Sequence, residues 1–396
     1  MHQTDFNYTY KELPSSLKKY GILFFIVGLF LAIVAFFVDR ERAIFNYLVL
    51  YAMLVSIGLG SLFLVALEYI TNADWSVPFR RIPEFLSGIL PLLFILVIPL
   101  LIFNHDLFHW THKEVVEQDP ILKGKEPYLN MTFFVIRVIA FISIWILFYW
   151  LIGKNSFKQD ETKDQNLTRK NIVLSAVFVP IFAITITFTS IDWLMSLEPH
   201  WFSTIFGVYY FSGTVIAALS VVTLIVVHLK EKGYYSPWIS EDHLYSFGAL
   251  LFGFVNFWAY IAFSQFLLIW YANLPEETFW YLTRWEGSWS IFSVLLILVH
   301  FVVPYAVLLS QPSKMDPKKL KFISIWLLFA HLLDLFWLVM PNMSKMKSGY
   351  YFSWIDLVFP VLGIGIVMIV FHYFSKNKNL IPVGDPKLQR GLNFHL

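Results

Sequence analysis

The chain has 396 residues, of which 58% are apolar and 14% charged, and it contains no cysteine. That balance lies well off a soluble protein's and reads as an all-α integral membrane protein. The missing thiols exclude thiolate-held iron–sulfur clusters, CxxCH haem attachment and zinc–thiolate sites in this chain, while a net charge of +2 excludes little.

Residues 1–20 are polar and hold Lys11, Lys18 and Lys19. A secretory signal would begin its apolar core sooner and end in small residues, so this stretch reads as a retained tail. Ten apolar runs follow, at roughly 21–38, 44–67, 85–103, 132–152, 172–191, 205–228, 245–270, 288–310, 322–340 and 355–374, and a second tail covers 375–396. Each run has about the ~20 residues that cross a bilayer as helix. An even number of crossings puts both tails on one side. Of the 29 Lys and Arg, 20 fall in the tails and the loops on their side, 8 fall in the opposite loops, and Arg137 lies inside a run. By the positive-inside rule both tails are cytoplasmic, and in a bacterial inner membrane loops 104–131, 192–204 and 271–287 are periplasmic. The first and last of these are too long for simple hairpins and are able to pack against extramembrane partners. Pro91, Pro99, Pro180, Pro304 and Pro360 fall inside runs, where neighbouring helices can re-satisfy the freed backbone groups.

The ionisable residues near or within these runs are few. Glu68 ends the second run, as either a snorkelling end residue or the mouth of a path. His105, His109 and His112 have helical i, i+4, i+7 spacing, which suits zinc or, more simply, an interfacial amphipathic segment. Arg137 pairs either with an acid of the 192–204 loop or with lipid phosphate. The stretch Thr189–Gly213 crowds Asp192, Glu198 and His200 among Trp193, Met195 and Trp201 without a basic residue. It reads as an interfacial aromatic belt or as a protein-lined site; Pro199 interrupts the helix, and Ser203, Thr204 or the acids are candidate caps for the next one. Asn256, Ser264 and Gln265 suit packing across helices, and so does His300, mid-way along the eighth run. His331 and Asp334 share a helix face about 14 Å deep, near the midplane. They are either a structural pair, with Asp334 accepting from His331 or a tryptophan, or part of a proton path. His300 and His331 lie at similar depth, which leaves bis-histidine haem ligation open. No phosphate loop, nucleophile elbow or zinc-protease motif appears, and no nucleic-acid partner is expected.

The phrase SIDWLMSLEPHWFSTIFGVYYFSG (190–213), with FWAYIAFSQFLLIWYANLPEETFWY (257–281) and WLLFAHLLDLFWLVMP (326–341), strongly resembles the large membrane subunits of the quinol-oxidising bacterial alternative complex III. These belong to the NrfD/polysulfide-reductase type of membrane anchor. Of the two such subunits, C and F, the shorter length points to F. The resemblance implies two four-helix bundles, helices 2–5 and 6–9, flanked by helices 1 and 10. It implies a place in a respiratory quinol:cytochrome c or other electron-acceptor oxidoreductase, with menaquinol or ubiquinol as substrate of the complex. Haem and iron–sulfur clusters are then expected in partner subunits, which include the homologous C subunit, and membrane lipid surrounds the chain. No cofactor or metal is expected in this chain, because electrons need a partner.

In that family the quinol pocket is associated with C. The leading expectation is therefore a cofactor-free subunit that anchors partners and offers a proton path through Glu68, Asp192, Glu198, His200, His300, His331 and Asp334. The alternative is quinol binding and oxidation by this chain itself, through Arg137, Asp192, Glu198 and His200. A stand-alone transporter ranks third, because the paired broken helices of that class are not found.

Overall fold

The computed structural model describes residues 12–235, 238–346 and 349–396; most of the N-terminal tail, Lys11 included, lies outside them. Among the described residues the structure is helical with no strand, and ten helices are long and apolar enough to span a membrane. They are α1 (Ser15–Val38), α2 (Arg40–Thr71), α3 (Val77–Ile102), α4 (Met131–Thr162), α5 (Gln165–Leu197), α6 (Phe206–Glu231), α7 (Glu241–Ala272), α8 (Trp289–Leu308), α9 (Pro317–Asn342) and α10 (Ile355–Ser375). The chain is a multi-pass membrane protein.

Local chemistry sets the helix ends. Asp39 caps α2, Asn130 caps α4, Asp164 caps α5 and Asp316 caps α9, each accepting a bond from a backbone amide of the first turn. Asn72 and Asn273 close α2 and α7 in the left-handed region that Asn tolerates, at φ 55° and 48°. These caps carry α2, α4 and α7 well past the apolar runs. Proline acts unevenly. Pro180 and Pro360 sit inside continuous helix, whereas α3, with Pro83, Pro91 and Pro99, runs as short α and 3-10 pieces. In α8 a π-turn, Leu298–Val302, immediately precedes the turn that contains Pro304, where the proline lacks the amide that a regular ladder needs.

Helices α2 and α6 form the centre and are buried on nearly all sides. α2 packs against α3, α5, α6, α9 and α10, and α6 against α2, α5, α7 and α9. Small residues permit this: a Cβ on Gly60 would stand 2.8 Å from both Ala218 Cβ and the Thr214 carbonyl oxygen. α1 lies along α10 with an exposed apolar outer face suited to lipid. Away from the termini, Arg42 forks onto Asp356 at 2.9 and 2.5 Å, joining α2 to α10. The long loops on that side pack on one another. Trp201 stacks on Trp280 at 4.4 Å, Lys125 Nζ donates to the Pro199 carbonyl at 2.5 Å, and Arg284 donates to the Trp337 and Leu338 carbonyls that end α9. A cation at a helix C-terminus is favourably placed.

Candidate functional site

The sequence candidates separate into three groups along the helix axes. The first lies on the side away from the termini. Asp192 is in the last turn of α5, and Arg137 of α4 grips it with two bonds, Nε to Oδ2 at 2.9 Å and Nη2 to Oδ1 at 2.8 Å. Tyr128 adds its hydroxyl to Oδ1 at 2.9 Å and its ring face to the guanidinium at 3.9 Å. Both charges are buried, so this acid is the partner of Arg137, and lipid phosphate is not. Burial pushes the Tyr128 hydroxyl up, with Asp192 adding to the rise. Glu198 and His200 are not part of this pair. They sit half-exposed, His200 between Asp119 at 2.6 Å and Glu198 at 3.5 Å. The His200 bond holds the Asp119 carboxyl below its usual range, helped by the backbone amides of Leu122 and Ile121. Ser203 does not cap α6, which starts without a side-chain cap; its hydroxyl donates to Gln265 instead.

The histidines of the 104–131 loop do not share a helix face. The chain turns extended at Phe108, so His105 and His112 fall on either side of a break. His105 bonds Thr111, and His112 reaches the His105 carbonyl. The i, i+4, i+7 spacing is therefore not realised, although the break still brings the His105 and His112 rings to 5.0 Å.

The second group is the core. Asp334 accepts from the Tyr209 hydroxyl of α6 through Oδ1 and from Trp258 Nε1 of α7 through Oδ2, the latter at 3.2 Å. His331 Nε2 meets Ser56 Oγ of α2 at 3.1 Å. Ser56 in turn lies 3.3 Å from both the Tyr210 hydroxyl and Thr214 Oγ1. His331 and Asp334 thus engage different partners: of the two donors expected for Asp334 the tryptophan is the one present, joined by a tyrosine. His300 stacks flat on Trp258, centroids 3.8 Å apart. One donor atom from each of His300, His331 and Asp334 lies within 4.8 Å of the other two. Gly213 makes the arrangement possible, because a Cβ there would stand 2.6 Å from His331 Nδ1 and Cε1.

Between these two groups lies a cavity of about 10 Å³ lined by Tyr51, Ala52, Val55, Thr189, Trp193, Leu194 and Tyr210. That is roughly one water's space. Tyr210 borders both the cavity and Ser56, and Trp193 follows Asp192 in sequence.

The third group is at the end that carries the termini. Glu68 is not a snorkelling end residue: it is buried and bonded to Arg80 at 2.9 Å. Arg80 also binds Asp385 at 2.5 Å and approaches Glu84 at 3.6 Å. Arg81 binds Glu84 at 2.5 Å and Asp160 at 2.7 Å. The C-terminal tail is therefore docked, with Asp385 inside the network. Between this network and the core, five buried hydroxyls have no hydrogen-bond partner among the described residues: Ser61, Ser175, Ser220, Thr223 and Ser324. Transmembrane serines usually bond back to their own helix, and these five do not.

The residues missed from sequence were Ser56, Tyr209 and Trp258 in the core, and Tyr128, Asp119, Arg80 and Asp385 outside it. Trp258 and Tyr209 lay within family-like phrases without any charge to single them out. Comparison with family models and with curated proteins returns no match for this chain.

Proposed function

We propose that this chain is a cofactor-free membrane subunit of a bacterial quinol:electron acceptor oxidoreductase of the alternative complex III type. In this reading it anchors haem- and iron–sulfur-bearing partners, lies in the inner membrane with both termini cytoplasmic, and offers protons a path. Contacts among α2–α5 and among α6–α9 fit the two-bundle arrangement that the resemblance implies, with α2 and α6 packed together between the two sets and α10 resting on α1, α2 and α3.

One observation carries the proton reading: polar groups continue through an otherwise apolar core. From the Asp192 end they run by the water-sized cavity to Tyr210, Ser56 and His331. Asp334 with Tyr209 lies one helix turn away, and the unpartnered hydroxyls continue toward Glu68. Proton transfer needs neighbours within ~3 Å or a bridging water, and the cavity beside Tyr210 has room for about one such water. Arg137 and Asp192 satisfy each other, and the cavity beside them suits water rather than a quinone ring, so quinol oxidation by this chain gains no support.

Asp334→Asn keeps the shape of the side chain as a carboxamide and removes the titration. In vesicles holding the assembled complex, quinol turnover should continue while the coupled proton uptake falls. Intact coupling in both Asp334→Asn and His331→Ala, with the complex assembled, would reduce these residues to packing.

A further inference from the structure

His300 is the least explained side chain in the core. It is fully buried, and neither of its ring nitrogens has a partner among the described residues. It sits in the middle of the π-turn Leu298–Val302, a distortion that often marks a functional position. A buried imidazole used only for packing would gain a hydrogen bond or be replaced by an apolar ring.

Its surroundings explain it better. His331 Nδ1 is also unpartnered, while its Nε2 is held by Ser56. Asp334 is held by Tyr209 and Trp258, and each of its oxygens keeps a further acceptor position. Such outer bonds orient metal ligands and leave the inner lone pairs free. We propose that His300, His331 and Asp334 bind one divalent transition cation of the Zn²⁺ class, tying α8 to α9 in the middle of the protein. Two imidazoles and one carboxylate suit Zn²⁺, Co²⁺ or Fe²⁺, and they do not suit Mg²⁺ or Ca²⁺, which prefer oxygen. Metal bonds of about 2.0–2.2 Å in a tetrahedron set ligand atoms about 3.4 Å apart. The donors, now within 4.8 Å, close by roughly an ångström, and His300 breaks no hydrogen bond in moving. The site needs neither quinol nor a partner subunit, so it does not rest on the respiratory reading; it competes with the proton path at His331 and Asp334, and retention of the metal by the parent chain takes those two residues out of that path.

The full chain, purified in detergent, is stripped with chelator, exposed to Zn²⁺ alone, desalted and analysed for metal. About one Zn²⁺ per chain should remain, Mg²⁺ should not be retained, and Co²⁺ should give the intense visible bands of a four-coordinate site. His300→Gln and Asp334→Asn should lose the metal, and Ser56→Ala should weaken it by about tenfold. A His105→Ala/His112→Ala chain, altered only in the 104–131 loop, should retain it. The proposal is overturned if the parent retains none, or if His300→Gln retains as much as the parent. Should the core variants fail to fold, the Co²⁺ spectrum of the parent decides, because weak octahedral bands also overturn it.

Discussion

Arg137 and Asp192 show what one buried pair demands of its neighbours. The guanidinium offers two bonds to the carboxylate and stacks on Tyr128, so Lys cannot replace it. Arg137→Ala leaves a buried, unpaired carboxylate and should lower stability by about 3–5 kcal/mol. The melting temperature of the purified protein reads this, and a value unchanged from the parent would show that water replaces the arginine. Asp119 and His200 give a contrasting, exposed case. A carboxyl held below its usual range adds stability above its unfolded value and loses it as pH falls through the folded one. The clamp between the 104–131 and 192–204 loops should therefore release in acid, below about pH 4. Hydrogen exchange across residues 119–125, corrected for intrinsic rates, reports the release, and His200→Ala should move it to higher pH. Identical release in both proteins would discount the clamp. At this scale the sequence was half legible. An intramembrane acid or histidine announces itself by cost, so His331, Asp334, Arg137 and Asp192 were found. Ser56, Tyr209 and Trp258 carry no such cost, and only packing aims them at the charged groups.

Helices were legible as apolar runs, and their ends were not. α4 continues from 152 to Thr162 because capping and interhelical bonds, such as Asn155 to Asn171 at 2.9 Å, extend it past the lipid-suited part. Hydropathy does not register such bonds. The π-turn in α8 was equally invisible, since Pro304 alone permits either a kink or a continuous helix. The contact between α2 and α6 provides the test at this scale. Gly60→Leu places methyl groups where Ala218 and the Thr214 carbonyl already stand, and overpacking of that kind costs about 1–3 kcal/mol. A variant as stable as the parent would show that the two central helices separate freely.

For the whole molecule, ten spans and tails on a common side followed from the number and spacing of apolar runs alone. The sidedness rests on the uneven spread of Lys and Arg. Reporter fusions after Lys154 and after Lys376 should read cytoplasm, and one after Asp119 periplasm; the reverse pattern would put Glu68 at the periplasmic face and Asp192 at the cytoplasmic one. What the runs did not reveal is how the loops and the tail close the structure. Ionic partners such as Arg80 and Asp385 stand 305 positions apart, and no local pattern links them.

That separation has a consequence for biosynthesis. Arg80 and Arg81 emerge from the ribosome early, at the start of the third crossing, yet Asp385 follows the tenth. Until Asp385 has been made, the charge cluster around Glu68 lacks one of its acids. A chain that stops short of residue 385 leaves Arg80 without that carboxylate, and the end of the molecule around Glu68 loses the segment packed against it.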